Sequence, residues 1–199
     1  MKNVMNEAAS IVQVKQKHIP GELGIWLFIF GDLIMFALFF AIFLFYRAEQ
    51  AELYNISQAT LNTNFGALNT LFLLSSSWFV VLAMNAARAS LRRWSLGLFS
   101  LALTCGLGFS VVKIIEYSEK LANGISITTN DFYMFYYILT GLHFVHVIIG
   151  MLLLIVVLVK LSQDNKLSEQ ITFLEISASY WHMVDILWVI LFPLIYLVK

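Results

Sequence analysis

Long apolar runs alternate with short polar stretches along this chain. Five runs can cross a bilayer: residues 25–46, 68–87, 94–115, 132–159 and 176–198. A span needs roughly 20 apolar residues. Backbone at that depth has no water to bond, so each run is predicted to be a helix. The fourth run is long enough to tilt or to project from the membrane. Pro193 falls near the end of the fifth, where a kink costs least. The connections are short, so neighbouring helices are expected to pack antiparallel. The pattern predicts an all-α integral membrane protein with five transmembrane helices. Residues 25–199 form one membrane domain and residues 1–24 a polar N-terminal segment. The first run is too long for the apolar core of a signal peptide, and no small-residue cleavage site follows it. It is therefore expected to remain as a membrane anchor.

Composition supports the same picture. Of 199 residues, 60% are hydrophobic and 12% charged, against about 45–50% and 25% for soluble domains. The net charge is zero, so no basic field points to nucleic acid. The single cysteine, Cys105, lies in an apolar run and is read as a small hydrophobe.

Lysine and arginine placement gives an orientation. Lys2, Lys15, Lys17, Arg88, Arg92, Arg93, Lys160 and Lys166 fall on one side, and Arg47, Lys120 and Lys199 on the other. The N-terminus is thus expected in the cytoplasm and the C-terminus in the periplasm.

Ionisable residues inside the spans are the candidate functional groups, because such groups are expensive there. Asp32 lies roughly 10 Å into the first span and His182 roughly 9 Å into the fifth, at 1.5 Å per residue. Asp185 is one turn deeper, on the face of His182. Depth therefore predicts one polar layer of Asp32, His182 and Asp185. His143 and His146 share a face of the fourth helix nearer the midplane. They read either as haem or metal ligands, or as buried histidines bonded to neighbouring helices or a partner. No span contains Glu-x-x-His, and His182 does not match their depth. Lys113 and Glu116 read as an intrahelical pair whose stems reach the interface. Ser100, Thr104 and Gly108 recur at a spacing that lets helices approach closely. Ser75, Ser76 and Ser77 can bond within their helix or across to another.

No nucleophile triad, phosphate-binding loop, dinucleotide fingerprint or Cys-x-x-Cys occurs. The chain is not expected to be catalytic alone. A proton-handling or structural subunit fits better.

Several stretches carry a family resemblance. They are G-I-W-L-F-I-F-G-D-L-I-M-F-A-L-F-F in the first span, L-N-T at 68–70, and E-Y at 116–117 with Glu119. The two strongest are T-G-L-H-F-V-H-V-I-I-G at 140–150 and Y-W-H-M-V-D-I-L-W at 180–188. From about Pro20 onward the chain resembles subunit III of the haem–copper oxidases. The mitochondrial type has seven spans, and five are usual in the quinol-oxidase type. Asp32 stands where cytochrome c oxidases typically have Glu, and Lys113 where many relatives carry Gln. The opening P-G-E-L-G-I-W at 20–26 looks most like the NorE-like branch associated with nitric oxide reductase.

The resemblance implies a non-catalytic subunit of a respiratory oxidase in the bacterial inner membrane, serving aerobic electron transport. Such a subunit binds no haem or copper, which sit in the partner. It packs with the catalytic subunit I and subunit II, holds phospholipid in a cleft between helix groups, and supports proton uptake and stability. Carried over, Asp32 is the embedded carboxylate, with His143, His146, His182 and Asp185 as its polar scaffold. Glu116, Tyr117 and Trp181 lie in the matching motifs, and no residue is catalytic or metal-binding. The rival expectations are an accessory protein for nitric oxide reductase, an independent membrane transporter, and a haem-binding electron carrier.

Overall fold

The computed structural model describes residues 23–163 and 167–198. The charges at Lys2, Lys15, Lys17, Lys166 and Lys199, most of the 1–24 segment and the Pro20–Glu22 opening lie outside the described residues. The rest is all helix: α1 (Leu23–Glu49), α2 (Ala51–Ala59), α3 (Thr63–Arg88), α4 (Arg92–Ala122), α5 (Asp131–Ser162) and α6 (Leu167–Phe192). Among the described residues, five helices are long and apolar enough to cross a membrane.

Each long helix runs past the apolar run that announced it. Polar caps set several of these ends. The Asn62 side chain accepts from the Asn64 N–H at 3.0 Å to start α3. Asn130 does the same for Tyr133, also at 3.0 Å, to start α5. Both satisfy N–H groups that a helix start leaves unpaired. Pro193 has no N–H to give, and the chain passes into a π-helical turn, Pro193–Leu197, rather than a kink.

α6 is the most buried span and α1 the least. The outer face of α1 presents Leu27, Phe30, Ile34 and Leu38, as lipid contact requires. Its inner stripe is Ile29, Phe36 and Phe43, all buried. α3 and α4 form a close hairpin around Ser90, whose φ is +59°. Ser76 donates to the Ala102 carbonyl at 2.8 Å across that hairpin. Gly108 leaves room for the Phe72 ring, which a Cβ there would meet at 3.1 Å. Ser100 and Thr104 instead turn outward and bond back to Leu96 and Ser100 of their own helix. Only Gly108 of that small-residue series packs against a neighbouring helix.

Trp181 of α6 fixes the centre. A Cβ on Gly106 of α4 would lie 2.9 Å from its ring, and one on Gly150 of α5 2.7 Å from it. The indole is therefore clamped between two helix backbones. Arg92 ties one end of the bundle by donating to the Leu161 and Gln163 carbonyls. At the opposite end the Lys120 ammonium donates to the Thr60 carbonyl at 2.6 Å.

Candidate functional site

Asp32 lies three residues after Ile29 and four before Phe36, so the buried stripe of α1 turns it inward. There it meets α5. Asp32 Oδ2 is 3.4 Å from His146 Nε2, with the side chains 15% and 12% exposed. His146 Nδ1 lies 2.7 Å from the Leu142 carbonyl. A carbonyl only accepts, so Nδ1 carries a hydrogen. Phe36 covers the imidazole edge-on at 5.5 Å between centroids. The Tyr180 hydroxyl donates to the His146 carbonyl at 3.4 Å, which brings in α6.

The sequence places Asp32 in one layer with His182 and Asp185; the ionisable side chain that it contacts is His146. Asp32 pairs with His146, which the sequence places at a different depth. Helix rotation then decides which neighbour the carboxyl faces.

His182 meets α3. His182 Nδ1 lies 2.6 Å from Ser77 Oγ. Asp185 is 6% exposed, and its Oδ1 has no hydrogen-bond partner among the described residues.

His143 stands apart from His146. It is wholly buried between the rings of Phe109 and Trp188, at 5.7 and 5.1 Å. Its Nε2 donates to the Val184 carbonyl at 3.0 Å and so joins α5 to α6. Trp188 donates in turn to Thr70 Oγ1 at 3.0 Å, which gives the L-N-T stretch of α3 its contact. No group of three or more His, Cys, Asp or Glu able to hold a metal ion occurs among the described residues.

The second buried polar centre differs from its sequence expectation. Lys113 and Glu116 do not reach an interface; they are 0% and 1% exposed. The ammonium donates to Glu116 Oε2 at 3.0 Å, to Tyr196 at 3.0 Å and to Tyr136 at 3.4 Å. Tyr196 donates to Glu116 Oε1 at 2.6 Å and closes the ring. The faces of Tyr117, Tyr136, Trp188 and Tyr196 surround the ammonium at 4.9 to 5.6 Å. Thr140 gives its proton to the Tyr136 carbonyl at 2.6 Å, so Tyr117, 2.6 Å away, donates to Thr140. The tyrosine at the start of α5 and the one in the π turn supply what burial of an ion pair requires. A lysine inside an apolar run with Glu three residues on was the available signal. The tyrosine cage was not legible because Tyr196 lies 80 residues beyond Glu116.

The described helices thus hold a carboxyl–imidazole contact, two histidine contacts between helices and a caged ion pair. Comparison with known proteins matches this chain, over residues 2–199, to the family described as cytochrome c oxidase subunit III. Cytochrome c oxidase subunit 3 of Corynebacterium diphtheriae is 31% identical over 184 residues, covering 89% of this chain and 88% of that protein. Cytochrome bo(3) ubiquinol oxidase subunit 3 of Buchnera aphidicola is 28% identical over 180 residues, with 87% and 84% covered. Cytochrome c oxidase subunit 3 of Synechocystis is 31% identical over 179 residues, with 87% and 74% covered. The chain belongs to the cytochrome c oxidase subunit III family.

Proposed function

We propose that this chain is the non-catalytic subunit III of a respiratory haem–copper oxidase. It packs beside the catalytic subunit I and subunit II in a bacterial inner membrane, with its N-terminus in the cytoplasm. Haem, copper and oxygen chemistry belong to those partners. The contribution of this chain is mechanical and protonic. What carries the protonic part is the Asp32–His146 pair: a carboxyl 3.4 Å from an imidazole, reached from the least buried span. Such a pair can take up or release a proton without moving a helix, and so can sustain proton supply to a neighbouring subunit. His143, His182, Asp185 and Trp181 hold α6 so that Tyr180 meets the His146 backbone. Beside this pair, a groove of about 270 Å³ between α1 and α6 is lined by Trp26, Ile29, Phe30, Leu33, Met183 and Ile186. Its apolar walls suit a phospholipid acyl chain.

The test is Asp32→Asn in the assembled oxidase. Assembly and haem content are expected to stay at wild-type level, while proton uptake slows several-fold or the enzyme inactivates sooner in turnover. Unchanged proton uptake and unchanged turnover lifetime would contradict the protonic role. Failure to assemble would make Asp32 a packing residue.

A further inference from the structure

The end of the bundle that carries α2 holds a polar cavity beside the caged ion pair. The cavity measures about 470 Å³ and is lined by Asn55, Gln58 and Ala59 of α2, Leu61, Thr63 of α3, and Tyr196 of the π-helical turn. Its size, two carboxamides and a threonine hydroxyl give water both room and partners. Tyr196 belongs to two places at once. It lines this cavity, and its hydroxyl accepts from Lys113 at 3.0 Å and donates to Glu116 Oε1 at 2.6 Å. One residue therefore stands between the cavity and a pair that is 0% and 1% exposed. The ring lies against the first turn of α3, where a Cβ on Gly66 would come within 3.2 Å of it. The turn that carries Tyr196 is tethered from the cavity wall: Gln58 Nε2 donates to the Ile195 carbonyl at 3.0 Å. The Val198 N–H closes the turn on the Pro193 carbonyl at 2.9 Å. Turns of this kind are rare and occur mostly at functional sites.

We infer that Tyr196 is a gate that admits water from this cavity to the Lys113–Glu116 pair. Closed, as in this structure, it completes the dry cage, where the attraction between the two charges is strong. Rotated towards the cavity, it yields its place to water, and the higher dielectric weakens that attraction. The pair itself is the lock, because one hydroxyl bond goes to each member. The tether at Gln58 holds the backbone of the turn, so opening needs rotation of one side chain and no movement of α6. The other faces of the cage, Tyr117, Tyr136 and Trp188, stand on α4, α5 and α6 and stay in place. Opening thus removes one wall of the cage and leaves three. Gate and pair stabilise each other, which gives this end of the bundle two states: closed and dry, or open and hydrated.

Reductive methylation of the full chain in lipid nanodiscs, with formaldehyde and cyanoborohydride, tests the gate without any oxidase partner. Its failure would leave the subunit III reading standing. Mass spectrometry follows the Lys113 peptide, with the partly exposed Lys160 as the reference for an open lysine. In the wild type, Lys113 is expected to react at least about tenfold more slowly than Lys160, since only the open fraction is labelled. Tyr196→Ala, which removes the gate, and Tyr196→Phe, which removes the lock and keeps the ring, are each expected to speed Lys113 labelling by at least about tenfold. Adding Ala59→Trp to either variant fills the cavity and is expected to return the rate towards wild type. Should Tyr196→Ala not fold, Tyr196→Phe with and without Ala59→Trp decides. Labelling of Lys113 at the wild-type rate in the Tyr196 variants would overturn the gate. So would a raised rate that Ala59→Trp leaves unchanged, since water would then reach the pair by another route.

Discussion

Trp181 packs against the backbone of α5 at Gly150, where an added Cβ would sit 2.7 Å from the ring. That contact sets the distance between α5 and α6, and with it the reach of Tyr180 to His146. Gly150→Ala is expected to destabilise the folded chain by about 1–3 kcal/mol, because the indole is clamped from the other side by Gly106 and cannot retreat. Gly141→Ala, on the same helix with nothing within 4 Å, is expected to be tolerated. Thermal midpoints of the two variants in one detergent check this. Equal midpoints would contradict the clamp.

Lys113 and Glu116 give a sharper test, because each is the counter-ion of the other in a dry site. Lys113→Met leaves the carboxylate uncompensated and is expected to cost about 3–5 kcal/mol. Replacing both residues, Lys113→Met with Glu116→Leu, removes both desolvation costs and is expected to recover most of that loss. Additive losses in the double variant would mean that the residues act independently.

His143 donates from Nε2 to the Val184 carbonyl. Gln at this position has an N–H of similar reach and is expected to be milder than Phe. His143→Phe removes a buried hydrogen bond between α5 and α6 and should cost about 0.5–1.5 kcal/mol. Haem and metal content of the purified complex should be the same for both variants. Loss of a metal or haem in His143→Gln would point to ligation.

Tyr54 on α2 is wholly buried, and its hydroxyl has no hydrogen-bond partner among the described residues. Burial, aided by Asp131 and Tyr46 and opposed by Arg47, pushes its phenol up to about 12. The folded state thus holds this proton more tightly than the unfolded chain, whose phenol titrates near 10. The stability that this supplies is complete below about pH 10 and is lost as the pH rises through about 12. Tyr54→Phe is expected to lose less stability over that window, measured by chemical unfolding at pH 9 and above. A pH dependence identical to wild type would contradict the assignment.

Much of the fold was legible because hydrocarbon runs of this length have one solution in a bilayer. All five spans lie where the apolar runs place them. What the runs do not carry is the polar detail at their ends. Asn62 and Asn130 start helices outside the apolar windows. The nine-residue α2 has no long apolar run to announce it. The site was legible as a set of residues and not as a set of contacts. Asp32 stood out by being a carboxylate in a span, but its partner depends on the rotation of α1 and the relative shift of α5. Lys113 resembled an interfacial lysine because the four rings that surround it come from three separate parts of the chain.

The central claim is that this chain works as part of an oxidase and brings no redox centre of its own. Affinity purification of the tagged chain in mild detergent from its native membrane tests it most directly. Haem–copper subunits I and II are expected to co-elute in stoichiometric amount with oxygen-consuming activity, and the separated chain to show no haem absorbance. Co-elution with nitric oxide reductase instead, elution alone, or a haem Soret band on the isolated chain would contradict it.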